Sequence, residues 1–129
     1  MDYGKVETFV EEMWDDSIVP SLEEYVRIPN KSPTFDPDWE KHGYMEDAIG
    51  LLSNWVDELA VTGLSKRIVR LDGRTPVLLC EIDGTGPGNV LMYGHYDKQP
   101  EFTGWAEGLS PWTPVIREGR LYGLSLIHI

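Results

Sequence analysis

The spacing of apolar residues changes near Gly63, and this change constrains the fold more than any other feature of the 129-residue chain. Before Gly63, apolar side chains recur every three or four residues, which is the period of an amphipathic α-helix. After it, they form short continuous runs rich in Val, Ile and Leu, which are typical of β-strands. The sequence therefore predicts helices followed by a mostly buried sheet, an arrangement of the α/β or α+β class.

The first helical stripe covers residues 6–26 and is interrupted by Pro20. A proline inside a helix lacks a backbone donor, so a kink or break is expected near residues 18–20. Asp16 or Ser17 is expected to cap a second helix at that point. The stripe is expected to end at Ile28-Pro29-Asn30.

A second helix is predicted further along the first half of the chain. Residues 29–41 contain three prolines and are expected to form an extended connection before it. Its stripe consists of Tyr44, Ala48, Ile49, Leu52, Trp55, Val56 and Leu59. Gly63 is expected to close this helix, since glycine readily adopts the left-handed conformation found after a helix.

Three strands are predicted in the second half, over residues 67–71, 77–82 and 90–93. Two of these runs are continuously apolar, as in strands that are covered on both faces. Cys80 is expected to pack inside its strand as a small hydrophobic residue. The glycine-rich residues 84–88 lack the Gly-Lys-Ser/Thr ending of a phosphate-binding loop, so a hairpin connection is expected there.

The charge is concentrated in the first half, because residues 1–62 carry 15 acidic and 4 basic side chains. Residues 63–129 carry 7 of each, and the whole chain has a formal charge of −11. We interpret the acidic half as the solvated face of the helices. A chain this acidic is not expected to bind nucleic acid or anionic lipid, since both require Lys and Arg.

Several classes of protein are excluded by what the sequence lacks. One Cys cannot form an intramolecular disulfide framework or a Cys-rich zinc site. No apolar run approaches the roughly 18 residues of a membrane span, and no secretory signal is visible at the start of the chain. A cytoplasmic location is therefore expected.

Residues with catalytic potential follow the last predicted strand, where His95 and Asp97 are two positions apart. On an extended backbone, side chains two apart point to the same side. A neutral imidazole binds a metal through one nitrogen while a carboxylate holds the other. His-x-Asp alone is a weak signal, and a structural hydrogen bond between the two is the alternative. His42 is interpreted as a surface residue, and His128 lies near the end of the chain.

The surrounding sequence is much more specific. Residues 90–123 read VLMYGHYDKQPEFTGWAEGLSPWTPVIREGRLYG. This string resembles the M20 metallopeptidases, the group that contains carnosinase-like dipeptidases, acetylornithine deacetylase and succinyl-diaminopimelate desuccinylase. Residues 28–33, Ile-Pro-Asn-Lys-Ser-Pro, are similar to the N-terminal segment of that family. The resemblance covers nearly the whole chain up to Gly123.

The resemblance implies a metal-dependent hydrolase. In its terms, His95 is a ligand of one of two zinc ions, with cobalt or manganese as alternative metals, and Asp97 orients that ligand. Residues 105–114 would form a loop beside the site. The family cleaves peptide or N-acyl amide bonds with a water activated by the two metals. The implied fold is the N-terminal part of a zinc-peptidase-like three-layer α/β/α catalytic domain with an incomplete sheet.

The chain departs from the family after Gly123. Members continue with Arg-Gly-x-x-Asp-Asp, whose Asp bridges both metals, whereas residues 124–129 here read Leu-Ser-Leu-Ile-His-Ile. We interpret residues 1–123 as a partial catalytic domain and residues 124–129 as an atypical tail of foreign origin. The general-base Glu, the remaining ligands and the smaller domain for dimerisation are absent from this sequence.

These departures set the functional expectation. The intact parent is expected to be a homodimeric, zinc-dependent enzyme acting on short peptides or N-acyl amino acids. The 129 residues alone are expected to be inactive, to bind no metal stably and to self-associate through open strand edges. The alternative is a non-catalytic binding or interaction module of the same fold, in which the lost ligands reflect a genuine loss of activity.

Overall fold

The computed structural model describes residues 2–124, which form helices and small antiparallel sheets in a mixed α/β arrangement. These residues divide into two compact units, residues 2–29 with 101–124, and residues 30–100. The expectations for residues 125–129, including His128, lie outside the described residues. No helix within residues 2–124 is long and apolar enough to cross a membrane.

The first unit begins with one continuous helical segment. It comprises α1 (Tyr3–Met13), a π-helical turn (Trp14–Ile18) and α2 (Val19–Arg27). In the π-helical turn, the amide of Val19 donates to the carbonyl of Trp14, five residues earlier. The π-helical turn lies directly before Pro20, which disrupts the regular hydrogen bonds of a helix. An inserted π-helical turn is one way in which a helix accommodates such a disruption.

The predicted irregularity near Pro20 is therefore confirmed, but its form differs. The chain continues as a helix, and no side chain caps α2 at Ile18. The expected cap at Asp16 or Ser17 is wrong because both residues lie inside the π-helical turn.

A small hairpin completes the first unit. β3 (Val115–Arg117) pairs antiparallel with β4 (Arg120–Tyr122), a pairing that was not predicted from the apolar pattern. Leu124 follows β4, is 2% exposed, and donates its amide to the carbonyl of Pro111 at 2.7 Å. Tyr25 and Val26 of α2 and Pro114 are also buried in this unit.

The second unit contains two helices and a hairpin. Its elements are α3 (Trp39–His42), α4 (Tyr44–Glu58), β1 (Leu64–Val69) and β2 (Val77–Ile82). Met45, Ala48 and Ile49 on α4 are buried, and α4 contacts β2. β1 and β2 pair antiparallel from Leu64 opposite Ile82 to Val69 opposite Val77.

The predicted helix of the second unit is confirmed, but the residue that ends it is not Gly63. α4 ends at Glu58, and Ala60 adopts a positive φ of 48°, the conformation expected of Gly63. Gly63 has a φ of 79° in the turn that leads into β1. The connection over residues 29–41 is also less extended than expected, because α3 begins within it.

The sheet of the second unit is smaller and more exposed than predicted. Residues 90–93 form no strand, and their exposed fractions are 91%, 94%, 89% and 87%. Residues 84–88 are therefore not a hairpin connection. Most of β2 is exposed, including Cys80, so the predicted cover on both faces is wrong for this segment. An apolar run becomes a buried strand only when neighbouring segments pair with its backbone and pack on its side chains. Residues 2–124 provide neither for residues 90–93.

Candidate functional site

His95 and Asp97 are in direct contact. The imidazole Nδ1 of His95 lies 2.9 Å from Oδ1 of Asp97, and the two side chains are 51% and 35% exposed. This contact agrees with the prediction that the side chains face the same side. A carboxylate at Nδ1 favours the tautomer that carries its proton there, which leaves a lone pair on Nε2, the ring nitrogen that does not contact Asp97. The pair thus has the arrangement of a metal ligand and its orienting acid.

Tyr96, between these two residues, is anchored through its side chain. Its hydroxyl donates a hydrogen bond to the carbonyl of Pro76, 2.9 Å away. Burial raises the pKa of the Tyr96 phenol to about 12, and the charges of Glu46 and Asp97 add to the rise. The phenol therefore stays protonated and keeps this hydrogen bond at neutral pH.

The backbone of residues 96–98 is also fixed by hydrogen bonds. Lys31 and Lys98 form a parallel β-bridge, in which the amide of Lys98 donates to Asn30 and the amide of Ser32 donates to Lys98, both at 2.9 Å. The side-chain amide of Asn30 donates to the carbonyl of Tyr96 at 2.5 Å. Residues 30–32 therefore lie beside the segment that carries His95 and Asp97.

Lys98 is the most deeply buried ionisable group near the pair, with 1% of its surface exposed. Burial lowers the pKa of its ammonium group to about 7. Nothing in the local sequence pattern distinguishes this lysine from a surface residue, so its burial was not predicted.

A second histidine–carboxylate pair occurs in the same unit. His42 Nδ1 lies 2.8 Å from Oδ2 of Asp36, and the two side chains are 48% and 9% exposed. The interpretation of His42 as a simple surface residue is therefore incomplete, since it forms an ion pair with a buried acid when protonated. The two residues are six positions apart with a turn between them, so no spacing rule would have found this pair.

The loop over residues 105–114 belongs to the other unit. Within it, the indole of Trp105 donates to the carbonyl of Phe102 at 2.7 Å. The indole of Trp112 donates to Oε1 of Glu101 at 3.2 Å. These bonds give the aromatic residues a structural role, and the expected place of the loop beside the site stays a prediction.

Metal binding requires more ligands than His95. A catalytic zinc site uses about three protein ligands and a water. Within residues 2–124, no group of three or more His, Cys, Asp or Glu side chains is arranged to hold a metal ion. The His95–Asp97 pair fits one ligand and its orienting carboxylate, but the described residues do not complete the set.

Comparison of the chain with models of known protein families and with curated proteins gives no match.

Proposed function

We propose that this chain is the N-terminal part of the catalytic domain of an M20-type metal-dependent hydrolase. The reaction of the intact protein is hydrolysis of a peptide or N-acyl amide bond in a short peptide or N-acyl amino acid. Its catalytic domain is a three-layer α/β/α structure, and a separate domain forms the homodimer. The observation that carries the proposal is the His95–Asp97 contact, made at the position where the family motif places a ligand and its orienting acid.

The neighbouring chain adds support. Two sequence segments resemble the family, residues 28–33 and residues 90–123, and the bridge between Lys31 and Lys98 joins one residue of each. Lys31 and Lys98 are more than 60 residues apart in sequence, so their pairing requires the chain to return to this point. Two independently recognised motifs thus form one local structure.

The roles of the chain's own residues follow from this geometry. His95 would hold one metal ion through Nε2, and Asp97 would accept a hydrogen bond from the Nδ1–H and so strengthen the imidazole as a metal ligand. Bound metal ions would lower the pKa of a water and polarise the scissile carbonyl. The groups that bridge two metals and act as general base are not among residues 2–124, so the chain alone is expected to be inactive.

Zinc titration followed by NMR tests the assignment of His95. Exposed Cys80 would also attract zinc, so all measurements use a Cys80→Ser background. We expect weak binding that shifts the His95 resonances. His95→Ala should lower the affinity at least about 10-fold, the scale on which loss of support for a ligand acts.

The matched control is His42→Ala, because His42 is also partly exposed and paired with an aspartate. It should leave the zinc affinity unchanged. Equal zinc affinities of Cys80→Ser with and without His95→Ala would remove His95 from the site and favour the non-catalytic module.

A further inference from the structure

We propose that Asn30 is a positioning residue for the His95–Asp97 pair, acting through the backbone of Tyr96. This proposal rests on the proposed function, because positioning matters for metal binding only if His95 is a ligand. Asn30 is 1% exposed, and its side-chain Nδ2 donates to the carbonyl of Tyr96 at 2.5 Å. The residue held by this bond is the one between the imidazole and its carboxylate.

The bonds to the neighbouring main chain fix Asn30 itself. Its carbonyl accepts from the amide of Lys98 at 2.9 Å, so Asn30 contacts the chain both before and after Asp97. The hydroxyl of Tyr96 donates to Pro76 on another segment. Residue 96 is therefore held at its carbonyl by Asn30 and at its side chain by Pro76. Rotation of its backbone, which would separate His95 from Asp97, breaks at least one of these bonds.

The second polar atom of the Asn30 side chain indicates that stability alone does not explain the asparagine. Its Oδ1 is buried and has no hydrogen-bond partner among the described residues. A buried acceptor without a partner is costly. An apolar side chain of similar size would remove that cost while also losing the bond to Tyr96. The asparagine thus provides a donor to residue 96 at the expense of an unsatisfied acceptor.

Asn30→Leu separates positioning from general stability. Leucine has nearly the same size and removes the unsatisfied Oδ1, but it also leaves the Tyr96 carbonyl without its donor. These two effects offset each other, so the free energy of unfolding should fall only by the small net contribution of one hydrogen bond. The His95–Asp97 pair, however, should lose its fixed geometry. If the asparagine had only a structural role, the pair would stay intact in Asn30→Leu.

Long-range proton–nitrogen NMR spectra of His95 in the metal-free chain provide the readout. We expect a single tautomer with the proton on Nδ1 in the unsubstituted chain, and a mixture of tautomers in Asn30→Leu. Zinc affinity should fall about 10-fold in this variant, as for loss of other groups that orient a ligand. Asn54→Leu, on the exposed face of α4, is the matched control and should change neither quantity.

An unchanged His95 tautomer together with unchanged zinc affinity in Asn30→Leu would overturn the proposal. If Asn30→Leu fails to fold, a measurement on the unsubstituted chain tests the proposal instead. A scalar coupling across the hydrogen bond between Asn30 Nδ2 and the Tyr96 carbonyl carbon, with one His95 tautomer, supports positioning, and its absence overturns it. The His95 tautomer is measured without metal, so it tests positioning separately from metal binding. If Asn30→Leu loses the single tautomer but zinc binding does not depend on His95, the proposed function is refuted and the positioning role is supported.

Discussion

Gly123 lies so close to Val26 that a β-carbon built on the glycine would be 2.5 Å from Cγ1 of the valine. Cγ2 of the same valine would be 3.3 Å away. Val26 is 1% exposed and β-branched, so its methyl groups have no free space and few rotamers. The last glycine of the Gly-Arg-Leu-Tyr-Gly segment is therefore required by packing within the first unit.

Gly123→Ala should destabilise the protein by about 1–3 kcal/mol, the usual cost of forcing extra volume into a packed site. Urea unfolding of the variant and the unsubstituted chain measures this difference. Gly86→Ala is the control, since a β-carbon there meets nothing within 4 Å and its φ is not in the left-handed region. A Gly123→Ala variant as stable as Gly86→Ala would contradict the close packing against Val26.

Asp97→Asn should weaken zinc binding by about 10- to 100-fold, the range seen when a group that orients a metal-binding histidine is altered. The amide keeps the size of the carboxylate but loses the negative charge that makes the His95 imidazole a stronger ligand for the metal. Calorimetric zinc titration in the Cys80→Ser background measures the change. Asp36→Asn, which alters the equivalent partner of His42, should leave the affinity as it was. Equal losses in both variants would show that the effect is not specific to His95.

Stability should depend on pH through Lys98. Burial lowers the pKa of Lys98 to about 7, whereas the pKa of a lysine in the unfolded chain is about 10.4. Between these values the unfolded chain binds more protons than the folded one, so the free energy of unfolding rises with pH. Below pH 7 both states are protonated, and the cost of burying the charge is fully present.

Urea unfolding at intervals between pH 7 and pH 10 should show this rise, on the order of a few kcal/mol. Lys98→Met should remove most of the slope because the titrating group is gone. Lys41→Met is the control, since the Lys41 side chain is 81% exposed. If Lys98→Met keeps the slope of the unsubstituted chain, another group causes it.

The parts of the fold that the sequence predicts are those determined by local pattern. The helical stripe around Ala48 and Ile49 and the strand Val77–Ile82 were both readable from the spacing of apolar residues. The strand expected at residues 90–93 does not form, because strand formation depends on neighbours that a local apolar run does not specify. The end of α4 at a left-handed Ala60 also departs from the preference for glycine.

The candidate site likewise has one contact that the local sequence predicts and another that only the folded chain shows. His95 and Asp97 are two residues apart, so backbone geometry alone places their side chains together. The bond from Asn30 to Tyr96 joins residues 66 positions apart and follows only from the folded chain. No periodicity reports such a contact, although the resemblance to a family segment at residues 28–33 did mark the region.

The exposed residues 90–93 should cause self-association. Val90, Leu91, Met92 and Tyr93 are each at least 87% exposed, carry no charge and favour extended backbone, so two copies can pair there as added strands. Size-exclusion chromatography with light scattering should show a molar mass that rises with protein concentration. Leu91→Lys should reduce this rise, because a lysine opposes pairing at a strand edge. Leu71→Lys, at a position 66% exposed in the turn between β1 and β2, should have little effect. A monodisperse monomer with a cooperative thermal transition would contradict association through this segment.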